Sequence, residues 1–197
     1  MTKTEICNRA LALLGHDRTI ADLDGKTAGG EYSDQSTEAV RCRQFLDSAI
    51  RDVLTESDWD FAAVERTVAA VRPDAFGWVR LPIPPDMIRL CEVTDAEGHP
   101  FKTRRNRDFI SAKTGGGAAK MRYVTDDVSS ADFPHKFNEA VVAQLAFLIC
   151  APMYGDDAKT SSFYQLARSR IADAVNREAD ETAYRGEWDN PFIQARR

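Results

Sequence analysis

VRCRQFLDSAIRDVLTESDWDFAAVER, residues 40–66, is the stretch whose reading decides the fold. Val40, Phe45, Leu46, Ala49, Ile50, Val53 and Leu54 recur at three- and four-residue intervals, which places them on one face of a helix. Arg41, Arg43, Asp47, Arg51, Asp52 and Glu56 fall mostly on the opposite, solvated face. The pattern stops at Ser57-Asp58. Trp59 and Phe61 then follow at alternate positions, as in an extended segment with one side against a core. The stretch predicts a core helix handing over to a strand, with both aromatics largely buried where helices and strands meet.

A shorter helix precedes it. Ile6, Ala10, Leu13 and Leu14 line an apolar face from about Thr4 to Leu14, and Gly15 stands where a left-handed terminating residue is wanted. From His16 to Tyr32 the chain reads as a loop anchored by Ile20 and Leu23, and Ser33 or Ser36 caps the next helix. Gly25-Lys26-Thr27 resembles the end of a phosphate-binding loop. That motif requires a glycine five residues earlier, where Ile20 stands, so the reading fails.

Downstream, short apolar runs alternate with turn residues. Strands are expected over 66–71, 77–81, 88–94, 99–103 and 121–125, with a Pro-rich corner at 82–86 and turns at 95–98 and in the KTGGGA stretch, 113–118. Helical spacing returns after Asp132, a candidate cap, with Pro134 in the first turn. Phe137, Ala140, Val141, Leu145, Leu148 and Ile149 form a broad stripe that Pro152 kinks or ends. A fourth helix is expected from Asp157 to Glu181, with Phe163, Leu166, Ala167, Ile171, Ala174 and Val175 inward and Asp173 supporting Arg177. The remainder, from Thr182, lacks helical period and reads as extended.

The expected fold class is therefore α+β: a four-helix bundle from residues 1–65 and 132–181, a small antiparallel β subdomain inserted at 66–131, and an extended tail at 182–197.

Composition narrows the function. The chain has 197 residues, 43% hydrophobic and 29% charged, with no apolar run near the ~18 residues of a membrane span. Its N-terminus reads as too polar for a signal peptide. A net charge of −5 argues against a dedicated nucleic-acid binder but allows passive contact with DNA. Cys7, Cys42, Cys91 and Cys150 are far apart and suit buried free thiols, with two disulfides as the alternative. The three histidines give no ligand spacing, so neither metal nor cofactor is expected.

No nucleophile–base or carboxylate pair stands out, which argues against an enzyme; a small hydrolase with a site assembled from distant residues is the competing class. Asp24, Asp58, Asp60 and Asp86 sit beside turns or helix ends, where carboxylates serve local hydrogen bonds. Lys102, Arg104, Arg105 and Arg107 form the one basic cluster, a solvated loop or one facing DNA or an acidic partner; no aromatic interleaves with it in the sequence to stack on bases. The tail carries Tyr184, Trp188, Pro191, Phe192 and Ile193 in a segment with no period to bury them. Such a terminus folds back or docks on a partner.

Taken in order, these elements resemble the head-to-tail adaptors of short-tailed bacteriophages, the tail tubular protein A family. The likeness rests on N-x-A-L-x-x-L-G at Asn8, Ala10, Leu11, Leu14 and Gly15, on Ile20, Leu23 and Asp24, on Trp59-Asp60-Phe61, and on the run from Trp78 to Arg89. The closing helix pair and Gly/aromatic tail extend it over nearly the whole chain. The resemblance implies a non-enzymatic virion protein at the head–tail junction, made in the host cytoplasm. It implies a dodecameric ring between the portal ring and a tail nozzle of the tail tubular protein B kind, with a channel touching DNA non-specifically and no membrane contact. The tail, through Trp188, Pro191, Phe192 and Ile193, would dock on the portal. The alternative is a head-completion or stopper connector of a long-tailed phage. The glycine-rich loops at 25–31 and 113–119 have no assigned role.

Overall fold

The structure, a computed structural model, describes residues 1–69, 74–113 and 118–188, with side chains described to Glu181. The chain forms two compact units: Met1–Ser57 with the chain from Ser129 onward, and Asp58–Val128.

The first unit is helical. Helix α1, Lys3–Leu13, starts at a capping box in which Thr2 and Glu5 satisfy each other's backbone N–H groups. It ends before Gly15, whose φ of 85° is the left-handed conformation a side chain disfavours. Helix α2, Thr37–Leu54, is capped by Ser36, whose hydroxyl accepts from Ala39 N. Between them the chain is tied down by Asn8: its amide donates to Ile20 O at 2.9 Å, and its carbonyl accepts from Ile20 N at 2.7 Å. Ile20 and Leu23 are buried, as the loop reading expected.

Helix α3, His135–Tyr154, begins at Pro134, while Asp132 lies just upstream in a 3-10 turn. Pro152 stays inside the last turn, and Gly155 ends the helix in the left-handed conformation. Helix α4 spans Asp157–Trp188.

The bundle expected from four stripes is not what forms. α3 packs on α1, α2 and α4, whereas α4 packs chiefly on α3. The cause is the breadth of α3's apolar surface: Phe137, Val141, Val142, Leu145, Ala146 and Ile149 are all buried, so this helix alone can serve three partners. By length and composition α3 could also cross a membrane, contrary to the sequence count, but most of that apolar stretch is buried within the fold. On α4, burial is confined to Ala167, Ile171 and Ala174 among the described side chains, with Phe163, Leu166 and Val175 partly covered. The expected extended tail is corrected over 182–188, where the backbone continues as α4. Nothing in the local sequence breaks that helix before Trp188, since Gly186 lowers helix propensity by only ~1 kcal/mol.

The second unit holds two antiparallel three-stranded sheets instead of one. Strands β1 (Ala63–Val68), β6 (Ala119–Thr125) and β3 (Met87–Thr94) form the first, in the order β1-β6-β3. Strands β2 (Val79–Pro82), β5 (Phe109–Ala112) and β4 (Thr103–Arg105) form the second, in the order β2-β5-β4. Val79, Leu81, Ile110, Met121 and Tyr123 make their common core. The expected strand over 99–103 begins only at Thr103. Its partner β5 went unanticipated, because four residues flanked by Asp108 and Lys113 carry too little apolar run to register.

The helix-to-strand handover differs as well. Asp60–Ala62 is a 3-10 turn, not an extended segment. Trp59 is 1% exposed, whereas Phe61 is only half-buried, with ring centroids 6.1 Å apart.

Candidate functional site

The basic cluster falls on an edge strand. Thr103, Arg104 and Arg105 are β4, all exposed, with Lys102 just before it and Arg107 in the turn to β5. Strand alternation then decides which residues share a face. Leu81 and Val79 of β2, and Ile110 and Ala112 of β5, point into the core. Arg80 of β2 and Arg104 of β4 both stand opposite Ser111 of β5, so these three form one row on the other face. The row is flanked by Trp78 and Phe109. The Arg104 guanidinium lies over the Trp78 ring at 4.8 Å, and that of Arg80 over Phe109 at 4.7 Å. Asn106 completes the corner, its amide donating to Ser111 Oγ at 3.0 Å.

Strand pairing thus brings rings and arginines together in a way the linear order of the cluster does not show. Trp78 is 26 positions away from Arg104 along the chain, so no local signal could have joined them. Together they border an open groove of about 810 Å³. Beside it Asp74 shapes a tight turn: its carboxylate accepts from Phe76 N (2.8 Å) and Trp78 N (2.9 Å), and Gly77 takes φ 78°. This turn presents the Phe76 ring 79% exposed.

In the helical unit a smaller groove of about 400 Å³ lies between α1, α3 and α4, bordered by Leu13, Val142 and Leu166 with Arg9, Glu139 and Arg170 at its rim. Glu139 accepts from Lys136 Nζ (3.1 Å) and also meets His135 and Arg170. The Lys136 hydrogen bond leads the causes that hold its carboxyl below the usual range.

The carboxylates expected to bond locally do more than that in the β unit. Asp86 receives Arg66 through both oxygens, at 3.0 and 3.3 Å, along with the hydroxyls of Thr125 (3.0 Å) and Tyr123. Desolvation pushes its pKa up, but its own backbone N–H, the Thr125 and Tyr123 hydroxyls and Arg66 outweigh that and hold it below normal. Asp58 pairs with Arg89 at 2.7 Å, and Asp60 with Arg122. These carboxylates pin strands together.

The cysteines are all free; Cys7, Cys42 and Cys150 are buried and Cys91 half-buried. A hydrogen bond with Cys42, then burial, drives the Cys7 thiol pKa up, and burial takes Cys91 to about 11. Both therefore remain thiols near neutrality, the unreactive form. Among the described residues no group of three His, Cys, Asp or Glu side chains is placed to hold a metal ion.

The glycine-rich loop at 25–31 is a small clasp. Ser33 N donates to Gly25 O, Thr27 N to Glu31 O, and Arg43 stacks over Tyr32 at 4.2 Å while donating to Leu23 O and Asp34 O. A Cβ at Gly25 would lie 2.7 Å from Asp22 Oδ2 and 2.8 Å from Ser33 Oγ, so only glycine fits unshifted. Of the expected portal-docking residues, Trp188 ends α4; Pro191, Phe192 and Ile193 lie outside the described residues, as does the centre of the KTGGGA loop.

Compared with known proteins, the chain matches no family model and no curated sequence.

Proposed function

We propose that this chain is a structural connector of a bacteriophage virion, a head-to-tail adaptor whose copies form a ring between the portal and the tail nozzle. Two things support the reading: the ordered likeness of its motifs to that family, and the length of α4. The carrying observation is the second. α4 has 32 residues against 20 in α3, its antiparallel neighbour across Gly155. At ~1.5 Å per residue the difference is roughly 18 Å, so the last turns of α4 outrun the helix that covers its first part. A terminal helix longer than its neighbour, followed in the sequence by Pro191, Phe192 and Ile193, is a fit element for reaching a neighbouring ring.

In this proposal the helical unit supplies subunit contacts, and the tail reaches the portal. Once one tail docks, the others on the ring bind at high effective concentration, so weak single contacts suffice. DNA passes the channel without sequence-specific contact. No catalytic role, metal or cofactor is assigned.

The test is the mass of the protein in solution, alone and after mixing with purified portal rings. A ring-sized complex that forms with the full chain and is lost on deleting residues after Glu181, with circular dichroism unchanged, is expected. A protein that stays monomeric with every portal offered, or a truncated one that assembles as well as the full chain, would overturn the reading.

A further inference from the structure

We propose that the exposed face of the β2-β5-β4 sheet is a binding platform for single-stranded nucleic acid, read through Phe76, Trp78, Arg80, Arg104 and Phe109. This goes beyond the connector reading and does not depend on it, since it concerns the β unit's own surface chemistry.

Three observations converge. The first is charge. Residues 100–113 carry Lys102, Arg104, Arg105, Arg107 and Lys113 against Asp108 alone, within a chain whose net charge is −5. A local basic field of this kind draws phosphates, whatever the sign of the whole molecule.

The second is the way the arginines are held. Arg80 and Arg104 flank Ser111 across two strand spacings, about 9.5 Å at ~4.8 Å each. Each guanidinium lies over an aromatic ring, at 4.7 and 4.8 Å. A guanidinium held over a ring still has N–H donors free of that contact, and such donors receive a phosphate through two oxygens. The ring also restrains the arginine, so less side-chain entropy is lost on binding.

The third is Phe76. An exposed aromatic costs solvation, yet this one is held at 79% exposure by the Asp74 turn beside the arginine row. A ring carried into solvent by an ordered backbone turn, bordering the same groove as the two arginines, offers a stacking surface for a base. Duplex DNA keeps its bases stacked on each other and has no free face to give; a single strand does. Aromatics and arginine planes on a short sheet are therefore matched to unpaired nucleotides. An acidic peptide would satisfy the arginines but leave Phe76 without a role.

The experiment uses the full chain and a fluorescein-labelled thymidine oligonucleotide of about 16 nucleotides, long enough for the largest usual single-fold site. Binding is followed by anisotropy, with the matching duplex and polyglutamate as competitors. The single strand is expected to bind and to be displaced by unlabelled single strand far better than by duplex or polyglutamate. Phe76→Ala, a surface change, is expected to weaken it by roughly tenfold, the scale of one lost base stack. Arg80→Gln with Arg104→Gln should weaken it further and flatten its salt dependence, with thermal melting of each variant unchanged. No binding by the folded chain, equal competition by duplex, indifference to Phe76→Ala, or preference for polyglutamate would each overturn the proposal.

Discussion

Charge is used differently in the helical and the β unit. In the helical unit several pairs close within one turn, Lys136 and His135 on Glu139 and Arg177 on Glu181 at 2.8 Å, beside the longer-range pairs Arg170–Glu139 and Arg168–Glu56. In the β unit Asp58, Asp60 and Asp86 reach arginines 31, 62 and 20 positions away. A helix satisfies its own backbone, so its surface charges add a few tenths of a kcal/mol to something that stands without them. Short strands own no such internal bonding. Their register depends on partners brought from elsewhere, and a carboxylate joining three strands fixes that register.

Substitutions can break or sharpen this contrast. The largest effects belong to each unit's buried aromatics. Trp59→Ala and Phe137→Ala should each cost about 3–5 kcal/mol, the scale of an emptied large aromatic site, and lower the melting temperature accordingly. A Trp59→Ala protein that melts with the parent would show that the 1% exposure of this ring carries no stability.

Next comes Asp86→Ala. It strands Arg66, Thr125 and Tyr123 without their acceptor, and about 1–3 kcal/mol should be lost in urea titrations. A loss near zero would remove the idea that long-range carboxylates organise the sheets. Asp86→Asn sharpens the point through pH. The folded pKa lies below the unfolded one, so the ionised carboxylate's stabilisation is complete above the ordinary Asp value near ~4 and disappears as pH falls through the folded value. The parent should lose stability in that acid window more steeply than Asp86→Asn. Parallel pH profiles would mean that other carboxylates carry the acid sensitivity.

The smallest effect is expected at Arg177→Ala, which removes an exposed pair spaced i,i+4. A change within about 0.5 kcal/mol is anticipated. A loss comparable to that of Asp86→Ala would erase the contrast between the units. Asp173, the partner expected for Arg177 from spacing, is replaced by Glu181, because both positions lie one turn away and the longer glutamate reaches.

Periodicity in the chain was enough to locate the four helices, though not the end of α4, because a helix is built from neighbours three and four apart and its pattern is local. Most of the α1 and α2 faces follow from it, although Leu13 and Val40, read as inward, are each 47% exposed. Residue type gave the Gly15 terminus, the anchoring of Ile20 and Leu23, and Ser36 as one of two candidate caps. The corner at 82–86 and the turn at 95–98 were equally legible, since proline, glycine and aspartate act on their own backbone. Tertiary structure alone decided how those elements combine. It made α3 the shared partner in place of a symmetric bundle, since stripe breadth sets how many neighbours a helix can serve but not which. It split the strands into two sheets and placed β5 between β2 and β4. It set Trp78 and Phe109 beside Arg104 and Arg80, because strand pairing joins residues with no proximity along the chain, and a sequence holds no local record of which strand will lie next to which.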